Sequence, residues 1–205
     1  MYLNGRRFNT WNWVGVSGRP ATPEEWLEKF RAEGNRFTRF SHNRKTRLYF
    51  PTREERLEFY DRNGIPGRLC SMIDGMFGSF HFGDKAVNRV TGKPFIEPNR
   101  PVWDNWTRHI EQMTKAYRNH PSVLVYQVEN ELIYINGMNR GYDLDSMEDL
   151  MGAVIQAGRE NDPTRPYTVG GAGDIDCYCE INAPHYPLGD PDWYPENAYT
   201  LERIK

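Results

Sequence analysis

Apolar positions along this chain keep two periods in alternation, one suited to helices and one to strands. Trp26, Leu27 and Phe30 recur at helical spacing behind Thr22-Pro23-Glu24-Glu25, and Gly34 closes the segment. That tetrapeptide predicts a capping box with Pro at the first helical position. A second box, Thr52 to Glu55, opens a helix that carries Leu57, Phe59 and Tyr60 and ends at Asn63-Gly64. Trp103, Trp106, Ile110, Met113 and Tyr117 share one stripe and predict a helix over 103–117. Met147, Leu150, Met151, Val154 and Ile155 predict another, stopped at Asn161-Asp162-Pro163. Between these lie short apolar runs at 35–42, 69–73, 122–128, 167–171 and 181–186 that suit strands. Strands alternating with helices at this spacing predict an α/β fold with a parallel sheet.

One of those strands ends unusually. Ser122 to Val128 is short, apolar and β-branched, as in a strand covered on both faces, and it runs straight into Glu129-Asn130-Glu131. A doubly buried strand has no packing use for an amide and a carboxylate at its carboxyl end. In open α/β sheets and α/β barrels that end is where ligands bind. The plain alternative is that Asn130 and Glu131 cap the next element or meet solvent.

Asn119 to Val123 (Asn-His-Pro-Ser-Val), the strand and Asn130-Glu131 together resemble the fourth barrel strand of the retaining glycoside hydrolases of the large (β/α)8 clan. Within that clan the chain is most similar to the catalytic domain of family 2, which holds β-galactosidases, β-glucuronidases and β-mannosidases. Gln127 to Glu131 also resembles the β-galactosidases of families 35 and 42. Asn4 to Phe8 and Trp11 to Gly15 look like that family's leading hairpin and first strand, which brings the count to six strands. The resemblance implies a (β/α)8 TIM barrel, incomplete, with about six strand-helix units, occupying residues 1–205 as one partial catalytic domain.

What the resemblance implies for single residues follows position by position. Glu131 becomes the general acid/base and Asn130 a ligand of the sugar hydroxyl beside the reacting carbon. Arg39 on the second strand becomes the arginine that keeps the nucleophile ionised. His42 becomes a substrate-side histidine, Tyr186 the tyrosine that hydrogen-bonds the nucleophile, and His185 a neighbour of the sugar. Asp74 ends the third strand on the ligand-binding side. Glu129 departs from family 2, which has a small residue there; it becomes a supporting residue that strand alternation puts on the same face as Glu131. Glu180 precedes the sixth strand and is expected at the opposite, stabilising face.

The second carboxylate is harder to find. Retaining glycosidases place an acid/base and a nucleophile about 5–5.5 Å apart, and in the resembled family the nucleophile is a glutamate on strand seven. Nothing after Tyr186 offers a buried strand ending in Glu, since Glu196 and Glu202 fall in turn-like or helical sequence. A full barrel takes about 250 residues, so the expectation is a fragment whose nucleophile lies beyond Lys205. The rival readings are a carbohydrate-binding barrel without hydrolysis, and an unrelated α/β protein in which the Asn-Glu pair is coincidental.

Composition narrows the partners. The formal charge is −2 over 205 residues, with both signs mixed along the chain, which gives no footprint for nucleic acid. No segment approaches the ~18 apolar residues of a membrane helix. The implied partner is a carbohydrate, a β-glycoside within an oligo- or polysaccharide, and double displacement needs no metal or organic cofactor. Cys70, Cys177 and Cys179 lack the spacing of a zinc site and are expected as free thiols. The start carries no signal peptide, and localisation stays open. The long stretch from Gly75 to Arg100 is expected to wall the cleft, with Phe77, Phe80, His81 and Phe82 in it.

Overall fold

A computed structural model describes residues 2–8, 16–18, 20–40, 50–71, 73, 100–132, 144–171, 178–181 and 183. A short hairpin, β1 (Tyr2–Leu3) and β2 (Arg6–Arg7), precedes α1 (Pro23–Ala32), β3 (Thr38–Phe40), α2 (Arg53–Asn63), β4 (Gly67–Cys70), α3 (Arg100–Tyr117), β5 (Val123–Gln127), α4 (Leu144–Arg159) and β6 (Tyr167–Thr168). The strands β3-β4-β5-β6 lie in that order in one sheet. β3 pairs with β4 and β5 with β6, both in parallel. The chain divides into two compact units, residues 1–70 with 117–125, and residues 71–116 with 126–205.

In the first unit, two helices begin on threonine caps. At α2 the box closes: Thr52 Oγ1 accepts the Glu55 N–H at 3.1 Å, and Glu55 Oε2 accepts the Thr52 N–H at 3.0 Å. At α1 only half of it forms. Thr22 Oγ1 accepts the Glu25 N–H, but Glu25 Oε2 reaches one residue further back, to the N–H of Ala21 at 2.7 Å. Gly64 ends α2 in the left-handed conformation at φ 63°, which costs glycine no Cβ clash. Trp26, Phe30, Phe40, Phe50, Phe59 and Tyr60 form the core, with Phe40 stacked on Tyr60 at 4.9 Å between ring centroids. Gly67 is required beside that ring: a Cβ there would stand 2.4 Å from the Thr38 carbonyl oxygen and 2.6 Å from Phe40. α2 also buries Arg53 and Arg56. Those two guanidinium stems hide part of its inner face from an apolar-stripe reading. Before β5, Asp61 holds the chain by accepting from the Ser122 N–H at 2.9 Å and pairing with His120 Nδ1 at 2.6 Å.

The second unit packs α3 and α4 around its own strands. Trp103, Trp106, Ile110 and Met113 are buried as their spacing predicts. Tyr117, expected on the same stripe, belongs to the first unit, where its hydroxyl donates to Glu54 at 2.7 Å. Met147, Met151, Val154 and Ile155 bury one face of α4. Burial of side chains this size stabilises by about 1.5–3 kcal/mol each. Tyr126 stacks on Tyr167 at 5.2 Å. Gly158 admits the Tyr167 ring, since a Cβ there would lie 2.7 Å from it. A further parallel bridge joins Thr168 to Ile181, where the next strand is expected. Trp11 to Gly15, expected as the first strand, lies outside the described residues, as does the stretch 75–99.

Candidate active site

The carboxyl end of β5 is tied by backbone bonds into a shaped turn. The Val128 N–H donates to Thr168 O at 3.0 Å, which continues the ladder one residue past the strand. Val128 O in turn accepts from the Ser71 hydroxyl and from Trp106 Nε1, the latter at 3.2 Å. The Asn130 N–H donates to Ile73 O at 2.9 Å and the Glu131 N–H to Gly170 O at 2.6 Å. Asn130 and Glu131 are both half-buried.

Glu131 takes a left-handed backbone, φ 56°. Non-glycine residues rarely do so, and the strain of such a position is of order 1–3 kcal/mol. Strand alternation therefore stops before this residue. The expectation that Glu129 and Glu131 share a face fails for that reason: β5 ends at Gln127, and the two carboxylates leave a turn rather than a strand.

Glu129 is 1% exposed, and its carboxylate accepts from backbone on both oxygens. Oε2 accepts the Leu132 N–H at 2.6 Å, and Oε1 accepts the Gly170 N–H. Gln127 Nε2 donates to the Glu129 carbonyl at 2.7 Å. Gly170 fits this corner because it has no side chain: a Cβ would lie 2.3 Å from Gln127 Nε2 and 2.8 Å from Glu129 O. A cavity of about 650 Å³ adjoins Ile73 and the first turns of α3, lined by Val102, Asn105, Trp106, Arg108 and His109.

The other candidates divide between the first unit and residues outside the description. Arg39, in the first unit, is half-buried on β3 and donates from Nε to Cys70 Sγ at 3.1 Å. His42, Asp74, His185 and Tyr186 lie outside the described residues. Glu180, expected just before the strand at 181–186, lies beside the first residue of β6. It accepts the Tyr167 N–H at 2.8 Å and pairs with Arg159. Among the described residues Cys70 and Cys179 are thiols outside any disulfide, and Cys177 lies outside the described residues. Among the described residues no group of three metal-ligating side chains forms, and no helix is long and apolar enough to cross a membrane.

β3, β4 and β5, each followed by a helix, and then β6 lie in sequential order in one sheet, as in a partial (β/α) barrel, a fold class that binds ligands at the carboxyl ends of its strands. The chain belongs to the glycosyl hydrolases family 2, TIM barrel domain, which matches over residues 30–195. Its fold is similar to part of β-glucuronidase 3 of Bacteroides uniformis (TM-score 0.56, 19% identity, 90% of this chain and 21% of that one). B. uniformis β-glucuronidase 2, bound covalently to cyclophellitol-6-carboxylate aziridine, gives TM-score 0.56 and 19% identity over 88% of this chain and 21% of that one. A family 2 β-galacturonidase from Eisenbergiella tayi, bound to galacturonate, gives 0.50 and 18% over 75% and 23%. The chain thus spans about a fifth of the length of these solved structures. No curated relative matches it in sequence.

Proposed function

We propose that the protein hydrolyses β-glycosides by double displacement with retention, and that Glu131 is its general acid/base. The observation that carries this is Asn130-Glu131 at the carboxyl end of a buried strand in a family 2 barrel, with Glu131 held in a strained backbone. Glu131 protonates the glycosidic oxygen as the nucleophile attacks the anomeric carbon and forms a glycosyl-enzyme. Ionised by that step, it then takes a proton from water, and the hydroxide displaces the enzyme carboxylate to free the sugar.

Asn130 holds the sugar hydroxyl beside the reacting carbon, and Arg39, His42, Asp74, His185 and Tyr186 complete the contacts. The nucleophile is a second glutamate, placed by the mechanism about 5–5.5 Å from Glu131. The names of the solved relatives make β-glucuronides and β-galacturonides the first substrates to offer.

The test is turnover of 4-nitrophenyl β-glycosides by the full-length protein, with the first-formed anomer followed by proton NMR. A β anomer formed first is the result expected. An α anomer first means inversion and overturns the mechanism. Saturable sugar binding without hydrolysis replaces it with the binding reading.

A further inference from the structure

We infer that Glu129 is a positioning residue for the general acid/base, an assignment that rests on the role proposed for Glu131. Three hydrogen bonds close around the turn. The Glu129 carboxylate accepts from the Gly170 N–H, Gly170 O accepts from the Glu131 N–H, and the same carboxylate accepts from the Leu132 N–H. Glu131 is thereby gripped on both sides, through its own amide and through that of the next residue. The grip is what makes a glutamate at φ 56° tolerable.

The side chain is matched to this task. Two N–H donors, from segments 38 residues apart in the chain (170 against 132), need two separate acceptor oxygens at one point. A carboxylate supplies both; an amide supplies one oxygen and turns a donor towards the other N–H. Burying a carboxylate at 1% exposure is costly unless its hydrogen bonds are made. A turn that only needed closing has cheaper solutions in neutral caps. Gly170 completes the device, because any side chain there would push on Gln127, Glu129 and Asn130 together.

Displacing a reacting group by about 1 Å costs roughly 100-fold in rate. In Glu129→Gln the turn relaxes and the Glu131 carboxyl leaves its post. The loss falls on substrates whose leaving group needs a proton. For full-length Glu129→Gln, kcat/KM for a 4-methylphenyl β-glycoside should drop roughly 100-fold, while that for the 2,4-dinitrophenyl analogue, whose phenolate leaves unaided, changes much less. Glu129→Asp, which keeps both oxygens, should recover part of the difference. Gly170→Ala, which strains the same ring from its other side, should repeat the pattern and decides the matter if Glu129→Gln does not fold.

Glu131→Ala is the control. If it shows the same leaving-group divergence and Glu129→Gln and Gly170→Ala lose both substrates equally, Glu129 is a structural residue only and this inference is overturned, with the function intact. If Glu131→Ala itself shows no divergence, the acid/base assignment falls first and takes the inference with it.

Discussion

The two ends of the strands in the second unit put carboxylates to different uses. At the amino end of β6, Asp162 takes donors from Tyr126 Oη at 3.0 Å, from the Thr164 N–H and hydroxyl, and from Arg165 at 2.5 Å. Glu180 ties Arg159 to the Tyr167 N–H. Those carboxylates meet side-chain donors as well as backbone, so a charge is neutralised where it sits. At the carboxyl end of β5, Glu129 is held by backbone N–H groups, and its neighbour Glu131 bears the backbone strain. One end spends its charges on holding the fold together. The other carries Glu131 on a strained backbone at the face where α/β barrels bind ligands.

The sharpest way to break this comparison is Asp162→Ala. It strands a buried tyrosine hydroxyl and a half-buried arginine, and should cost about 3 kcal/mol in urea denaturation while leaving kcat per folded molecule unchanged. A stability loss below about 0.5 kcal/mol would put it with ordinary surface substitutions and dissolve the contrast. Glu131→Gly should do the reverse, raising stability by about 1 kcal/mol through relief of the left-handed backbone while turnover is lost. Destabilisation by this variant would mean that the strain is not there. Ser71→Ala removes one of two donors to Val128 O and should cost about 0.5–1 kcal/mol, since Trp106 Nε1 keeps the carbonyl satisfied. A loss of several kcal/mol would show that Ser71, not Trp106, anchors the end of β5.

The smallest effect is in acid. Burial alone would raise the Asp162 carboxyl, but hydrogen bonds from Thr164 and the pairing with Arg165 outweigh it and hold the pKa below the usual 3.8. A depressed folded-state pKa contributes stability that is complete above the unfolded value and is lost as pH falls through the folded one. Asp162→Asn should therefore flatten stability against pH below about pH 4 and leave its slope at neutral pH unchanged. An unaltered acid limb of the urea midpoint would remove Asp162 from the account.

How far the sequence carries depends on the distance between cooperating residues. Gly34 and Gly64 end their helices as their positions imply, and Thr52 and Glu55 close their box because both partners lie within one turn. The run Val123–Gln127 was legible from its β-branched, apolar character, and Asn130-Glu131 from its place after that run. The limits of β4 were less so. The strand covers Gly67–Cys70 rather than 69–73, because its extent is set by pairing with Thr38–Phe40, a register no local pattern announces. Glu129 was visible as a residue out of place, but its partner stands 41 positions on at Gly170. The left-handed backbone of Glu131 was hidden altogether, since nothing local asks a glutamate for it. Buried Arg53 and Arg56 escaped the apolar stripe for the simpler reason that they are charged.

The most direct test of Glu131 as acid/base is azide rescue of Glu131→Ala in the full-length protein, with a 2,4-dinitrophenyl β-glycoside as substrate. Removal of an acid/base costs roughly 10²–10⁴-fold. Azide, which needs no base to attack, should restore much of the turnover and leave a β-glycosyl azide as product. Loss of activity with no azide product and no rate recovery, or full activity without azide, would contradict the assignment.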